Sequence, residues 1–126
     1  MPKINRYVDI DTVEREAKKD YIDRHSPFIH CDSSAKKGEP FAVTVKMGKE
    51  YSHPDDFDHF ISSISLFNGD VLLTKADFMV GALGNAKGHQ TVTFSIVPTG
   101  KLNLVAHSYC TKHGVWESDP IAVDVE

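Results

Sequence analysis

The 126-residue chain contains no apolar run near the roughly 20 residues that a membrane helix requires. It has no internal repeat, no low-complexity tract and no long linker, which excludes solenoid and disordered architectures. Basic residues are in deficit: 14 Lys and Arg stand against 18 Asp and Glu, a formal net charge of -4, which argues against a general nucleic-acid binder. Cysteine is scarce, with only two, too few for a disulfide scaffold. A chain of this length buries roughly two-thirds of its unfolded surface and does not need one. The amino-terminal stretch MPKINRYVDIDTVEREAKKD lacks the hydrophobic core of a signal peptide, so a cytoplasmic protein with reduced thiols is expected. Hydrophobic residues at 40% and charged residues at 25% fit a globular fold of a single domain. Histidine is the residue in excess, with seven beside the two Cys.

The hydrophobic pattern changes period along the chain. Asp11 and Glu14 have capping-box spacing, and Val13, Ala17 and Tyr21 recur every four residues. These predict a short amphipathic helix from about Thr12 to Ile22, which Pro27 prevents from continuing. Residues 1 to 10 read as a loose or strand-like arm, and Ser33 to Pro40 as a turn-rich loop. From Phe41 the period is two: Phe41, Val43, Val45 and Met47 alternate with Ala42, Thr44 and Lys46. Phe60 to Phe67, Val71 to Leu73, Val92 to Ile96, Leu102 to Ala106 and Ile121 to Val125 read as further strands, and Asn68-Gly69 is a hairpin signal. The expected fold class is all-β, an immunoglobulin-like β-sandwich with a short N-terminal helix, with a small barrel as the competing arrangement. The expected division is 1–22 as arm and helix and 23–126 as the sandwich, within one domain overall.

Two groupings carry chemistry. His53-Pro54-Asp55-Asp56-Phe57-Asp58-His59 sets two imidazoles in a loop leading into a strand. Cys110-Thr111-Lys112-His113-Gly114 sets a thiol and an imidazole at the end of another, where Gly114 permits a tight turn. His25, just before Pro27, is a further candidate. Thiolate with imidazole favours iron, copper or zinc over magnesium or calcium. Each of these histidines alone would more often be a surface or satisfied core residue, but both groupings together in one β domain favour a metal centre. Neither spacing is that of a zinc finger. His30, His89 and His107 lack such company and read as ordinary surface or core residues. Cys31 reads as a free structural thiol.

Three segments now fall into one pattern: Asp23-Arg24-His25-Ser26-Pro27, His53-Pro54 with His59, and Cys110-Thr111-Lys112-His113-Gly114 followed by Val115-Trp116. From Asp23 to Val125 the chain resembles the superoxide reductase family, which includes neelaredoxin and the iron domain of desulfoferrodoxin. The absence of an amino-terminal Cys-rich rubredoxin-like module resembles the one-iron class. The resemblance implies an immunoglobulin-like β-sandwich holding one mononuclear non-haem iron. His25, His53, His59 and His113 would be equatorial ligands and Cys110 the axial thiolate, with a sixth position open. It implies an oxidoreductase that reduces superoxide by one electron to hydrogen peroxide, taking electrons from a rubredoxin-like donor. A homo-oligomer, dimer or tetramer, is also implied, with no nucleic-acid or membrane partner.

The chain departs from the family pattern at three positions. Asp23 stands where the family has a Glu that ligates ferric iron, and its shorter side chain is expected to ligate weakly or not at all. Arg24 stands for a Lys that draws in the anion, and keeps the positive charge. Asp23 and Arg24 are therefore the candidate catalytic residues. Because the net charge of -4 opposes an approaching anion, attraction must come from a local patch, for which Arg24, Lys49 and Lys112 are candidates. Thr111 replaces an Asn near the thiolate. Three other readings compete. A blue-copper electron carrier would want a Met soon after His113, and Met1, Met47 and Met79 all precede it. A non-catalytic immunoglobulin-like interaction module would bind no metal. A superoxide dismutase would have to oxidise superoxide as well.

Overall fold

A computed structural model of the chain describes residues 3–6, 21–51, 53, 60–80 and 90–126. Its strands in chain order are β1 (Ile4–Arg6), β2 (Pro27–His30), β3 (Ser34–Ala35), β4 (Phe41–Met47), β5 (Ile61–Asn68), β6 (Val71–Asp77), β7 (Thr91–Ile96), β8 (Leu102–Cys110), β9 (Gly114–Glu117) and β10 (Ile121–Val125). Residues 21–25 are helical. The strands form two sheets, one of seven strands built on β8 and one of three in the order β2-β4-β7.

The two sheets face each other through their apolar rows. In β4, Phe41, Val43, Val45 and Met47 point inward, as period two demands. They meet Ile61, Ile64 and Leu66 of β5, Leu102, Leu104 and Ala106 of β8, Phe94 of β7 and Val123 of β10 in one core. This is the sandwich packing expected from the alternation. Strand β8 is central: it pairs with β5 along one side, and with β10 and then β9 along the other. Its inward row runs Leu102, Leu104, Ala106, Ser108, Cys110, so the apolar stripe turns polar and then sulfur-bearing toward one end of the sandwich.

Several elements differ from the sequence expectation. The helical turn reaches His25, beyond the expected end at Ile22, because the Ser26 hydroxyl donates to the Ile22 carbonyl at 2.6 Å and carries the turn as far as Pro27. The part of the expected helix from Thr12 to Asp20 lies outside the described residues. Strand β3 interrupts the loop read between Ser33 and Pro40, paired in parallel with β10. Strands β2 and β9 were not apparent, since each is only four residues long. Strand β5 carries a bulge between Ile61 and Ser63, which is why Ile61 and Ile64 are both buried despite their spacing of three.

The arm strand β1 lies parallel to β9. Asn5 donates to the Val115 carbonyl at 3.1 Å, and Arg6 Nε donates to Glu117 at 2.6 Å. Glu117 also accepts from His107 at 2.8 Å. Burial alone raises the Glu117 pKa, but the hydrogen bonds and charges of His107 and Arg6 outweigh it and hold the carboxyl below its ordinary 4.5. A depressed folded pKa stabilises the fold above the unfolded value and ceases to do so as pH falls through the folded value. We expect Glu117→Gln to lose about 1 kcal/mol at pH 7, discounted for the exposure of Arg6. Urea unfolding at a series of pH values should show the gap closing below pH 4.5; a constant gap would exclude this origin.

Candidate metal centre

Cys110 owes its position to β8. It sits two residues beyond Ser108 on the same inward face, fully buried at the end of the row. The chain then reverses through residues 111–113 and returns as β9, with Cys110 opposite Gly114. Gly114 has φ 84, a backbone conformation that other residues adopt at a cost. The reversal folds His113 back so that its Nδ1 lies 3.5 Å from Cys110 Sγ. Two hydrogen bonds brace it. Trp116 Nε1–H donates to the His113 carbonyl at 3.2 Å, and the Thr111 hydroxyl accepts from the Phe60 amide at 3.2 Å. The hydroxyl of Thr111 thus faces the start of β5.

His25 arrives from the other sheet's side, on the helical turn that leads into β2. The Ser108 hydroxyl, one alternation before Cys110, donates to the His25 carbonyl at 2.9 Å and so ties this turn to β8. His25 Nδ1–H donates to the Tyr21 carbonyl at 2.6 Å. That bond fixes the tautomer and leaves the Nε2 lone pair free to face the cluster. The ring stacks on Trp116, with centroids 5.2 Å apart and planes at 23°. Tyr21 packs edge-on against His113 at 5.0 Å and Trp116 at 5.5 Å.

His53 belongs to the loop after β4. Its Nε2 lies 3.1 Å from His25 Nε2 and 3.4 Å from Cys110 Sγ, and His113 Nδ1 lies 2.9 Å from His25 Nε2. The four contacts form a closed circuit, and one donor atom from each of the four residues lies within 4.8 Å of all the others. His25, His53 and Cys110 are buried, and His113 is partly so. Burial lowers the His25 pKa to about 3, with the charges of His53, His113 and Arg24 adding to the effect and the Tyr21 carbonyl opposing it. His25 is therefore neutral near pH 7, with a lone pair to give. Burial and the Cys110 thiolate together raise the Tyr21 pKa.

The donor set fits a transition metal. Hydrogen bonding alone does not account for it, because two ring nitrogens, His53 Nε2 and His113 Nδ1, crowd toward the single lone pair of His25 Nε2. Metal–nitrogen bonds near 2.1 Å and a metal–sulfur bond near 2.3 Å place neighbouring ligand atoms about 3.0–3.2 Å apart at right angles and opposite ones about 4.2 Å apart. The observed neighbours lie close to that spacing, at 2.9–3.1 Å between nitrogens and 3.4–3.5 Å between nitrogen and sulfur.

Residues 13–119 match the desulfoferrodoxin family. The chain belongs to the desulfoferrodoxin family. The neelaredoxin of Megalodesulfovibrio gigas is 36% identical over 109 residues, covering 76% of this chain and 84% of its own. A superoxide reductase of Thermococcus kodakarensis is 31% identical over 103 residues, covering 77% and 85%. Among solved structures, the superoxide reductase (neelaredoxin) from Ignicoccus hospitalis superposes with a TM-score of 0.75 at 27% identity, covering 98% of this chain and 95% of that one.

Of the five ligand candidates that resembled this family, the structure brings together His25, His53, Cys110 and His113. His59 lies outside the described residues. Asp23 is wholly buried, and its carboxylate accepts from the backbone amides of Lys49, Glu50 and Tyr51. The Arg24 guanidinium lies 5.9 Å from the centroid of the Tyr51 ring, and the Lys49 ammonium 4.9 Å from that of Phe28. His107 is engaged with Glu117, and Cys31 is a free, half-buried thiol packed against the core. Sequence reasoning missed Tyr21, Ser108 and Trp116 as supports of the cluster. A signal existed for Tyr21, which precedes His25 by four residues and so shares its helical face.

Trp116 offers a direct test of this support. Trp116→Phe keeps an aromatic surface under His25 but removes the donor to the His113 carbonyl. We expect a stability loss of about 1 kcal/mol in the metal-free protein. Cobalt(II) affinity should fall roughly tenfold, as it does when outer-shell partners are removed. Unchanged affinity in a calorimetric titration would show that the turn holds His113 without it.

Proposed function

We propose that the chain is a superoxide reductase, an oxidoreductase whose mononuclear non-haem iron is held by His25, His53, His59, Cys110 and His113. The observation that carries this reading is the buried circuit of three imidazole nitrogens and one sulfur in a chain of the desulfoferrodoxin family. Bound iron supplies one-electron chemistry by alternating between the ferrous and ferric states. The reaction consumes one superoxide anion, one electron and two protons, and releases one hydrogen peroxide.

The residues of the chain have separable tasks. The imidazole of His25 is held neutral by burial, so it binds the cation without adding negative charge that would repel an anion. The Cys110 thiolate, fixed by β8, is the strongest electron donor of the set. Arg24, on the helical turn beside His25, keeps a permanent positive charge near the site and attracts superoxide against the net -4 of the chain. Lys49 and Lys112, both exposed, extend that patch. Electrons come from a rubredoxin-like donor, and the protein works in the cytoplasm as a dimer or tetramer. Among the described residues no helix is long and apolar enough to cross a membrane.

Metal analysis together with stopped-flow mixing of the reduced protein with superoxide tests this function. One equivalent of iron, a single turnover per iron without added reductant, and a visible ferric–thiolate band are expected. Copper as the native metal, or a colourless metal-free protein, would overturn it. Continued consumption of superoxide without reductant would indicate dismutation instead. Arg24→Ala should slow the second-order step roughly tenfold at low salt and flatten its dependence on ionic strength. An unchanged salt dependence would remove Arg24 from this role.

A further inference from the structure

Asp23 and the loop before His53 are held together by an arrangement that the proposed reaction does not itself require. Asp23 is wholly buried, and its Oδ2 accepts from the backbone amides of Lys49 at 3.0 Å, Glu50 at 2.9 Å and Tyr51 at 2.9 Å, while Oδ1 accepts from Lys49 at 3.2 Å. A buried carboxylate persists only where donors replace the water it has lost, and three successive amides do so here. On the other side, the Ser26 carbonyl accepts from the Gly48 amide at 2.8 Å. The loop is therefore gripped between residues 23 and 26, the same turn that carries His25. Its last gripped residue, Tyr51, lies two before His53.

Gly48 shows how closely the loop wraps the carboxylate. Its φ is +74, and a Cβ placed there would lie 2.4 Å from the Tyr51 carbonyl oxygen and 3.3 Å from Asp23 Oδ2. The pocket is sized for Asp. One further methylene would push the carboxylate into amides already at contact distance.

From these observations we infer that Asp23 is a positioning residue: its carboxylate anchors the 49–51 loop to the His25 turn and thereby sets His53 at 3.1 Å from His25. The inference rests on the iron reading for its functional meaning and on the backbone contacts for its geometry. A carboxylate bound by three amides of this loop is held in place as their acceptor and is not a metal ligand. The short side chain of Asp is then a fitted part of the loop, and Glu does not substitute for it.

Hydrogen exchange of the metal-free protein and cobalt(II) titration together test the anchor. In Asp23→Ala, the amides of residues 49–51 should exchange at least roughly tenfold faster, and cobalt(II) affinity should fall by about 10–100-fold. The cobalt spectrum should lose an imidazole contribution and retain its thiolate charge-transfer band, because β8 still holds Cys110. Gly48→Ala should reproduce both changes from the opposite side of the loop, and Asp23→Glu should not rescue them. Asp23→Asn keeps the shape of the side chain and guards against a variant that fails to fold; its loop exchange should lie between wild type and Asp23→Ala. Unchanged exchange at 49–51, or full rescue by Asp23→Glu, would overturn the inference. So would an effect of Asp23→Ala confined to the oxidised iron spectrum, which would mark a ligand. A wild-type chain that binds neither iron nor cobalt would overturn the iron reading alone, since exchange in the metal-free chain decides the anchor by itself.

Discussion

Cys110 is fixed by strand β8, and the rest of the site is positioned against that one strand. Its inward row is apolar through Leu102, Leu104 and Ala106 and packs into the core, so the strand has no freedom to slide: a slip of one residue would turn every one of these side chains to solvent. The same register that buries Leu104 presents Ser108 and Cys110 at the end of the sandwich. Ser108 then fixes the turn bearing His25 through its carbonyl, and Cys110 fixes the start of the reversal that returns His113. The energy that holds the sulfur in place is the burial of hydrocarbon further along the same strand.

The imidazoles are held from behind by backbone partners. Tyr21 supplies a carbonyl to His25, and Trp116 supplies a donor to the carbonyl of His113. Tyr21 and Trp116 also make a wall of rings against His25 and His113. Four donor atoms are gathered within 4.8 Å of one another. Preorganisation of this kind means that the fold, already stable for other reasons, meets the cost of assembling the site before any metal arrives.

The strands with clean alternation were legible in the sequence because period two survives in them: β4 and β8 bury every second residue along their whole length. Strand β2 was not, because four residues beginning with Pro27 offer too little pattern, and β9 because it begins at the Gly that closes a turn. The bulge in β5 breaks the period at Ser62 and no local signal announces it. For the site, spacing exposed His53, Cys110 and His113, the place of His25 just before Pro27 marked it as a further candidate, and the motif resemblance joined them in one pattern. The contacts of Asp23 were illegible. Its amides come from residues 49–51, and only the pairing of β2 with β4 brings the two segments side by side.

The fate of Asp23 bears on the charge of the site. On the proposed reading, a ferrous ion with neutral imidazoles and one thiolate carries a single net positive charge, which favours an incoming anion. A carboxylate at the metal would be a second anion there and would cancel that charge. In this chain both anions are buried, Cys110 and Asp23, and they are compensated by different means. The thiolate faces the cation site, while the carboxylate is neutralised by the dipoles of three amides that lead to His53. Turning the carboxylate away from the metal thus does two things with one group: it leaves the site attractive to superoxide despite an acidic chain, and it supplies the acceptor that holds His53 in the circuit.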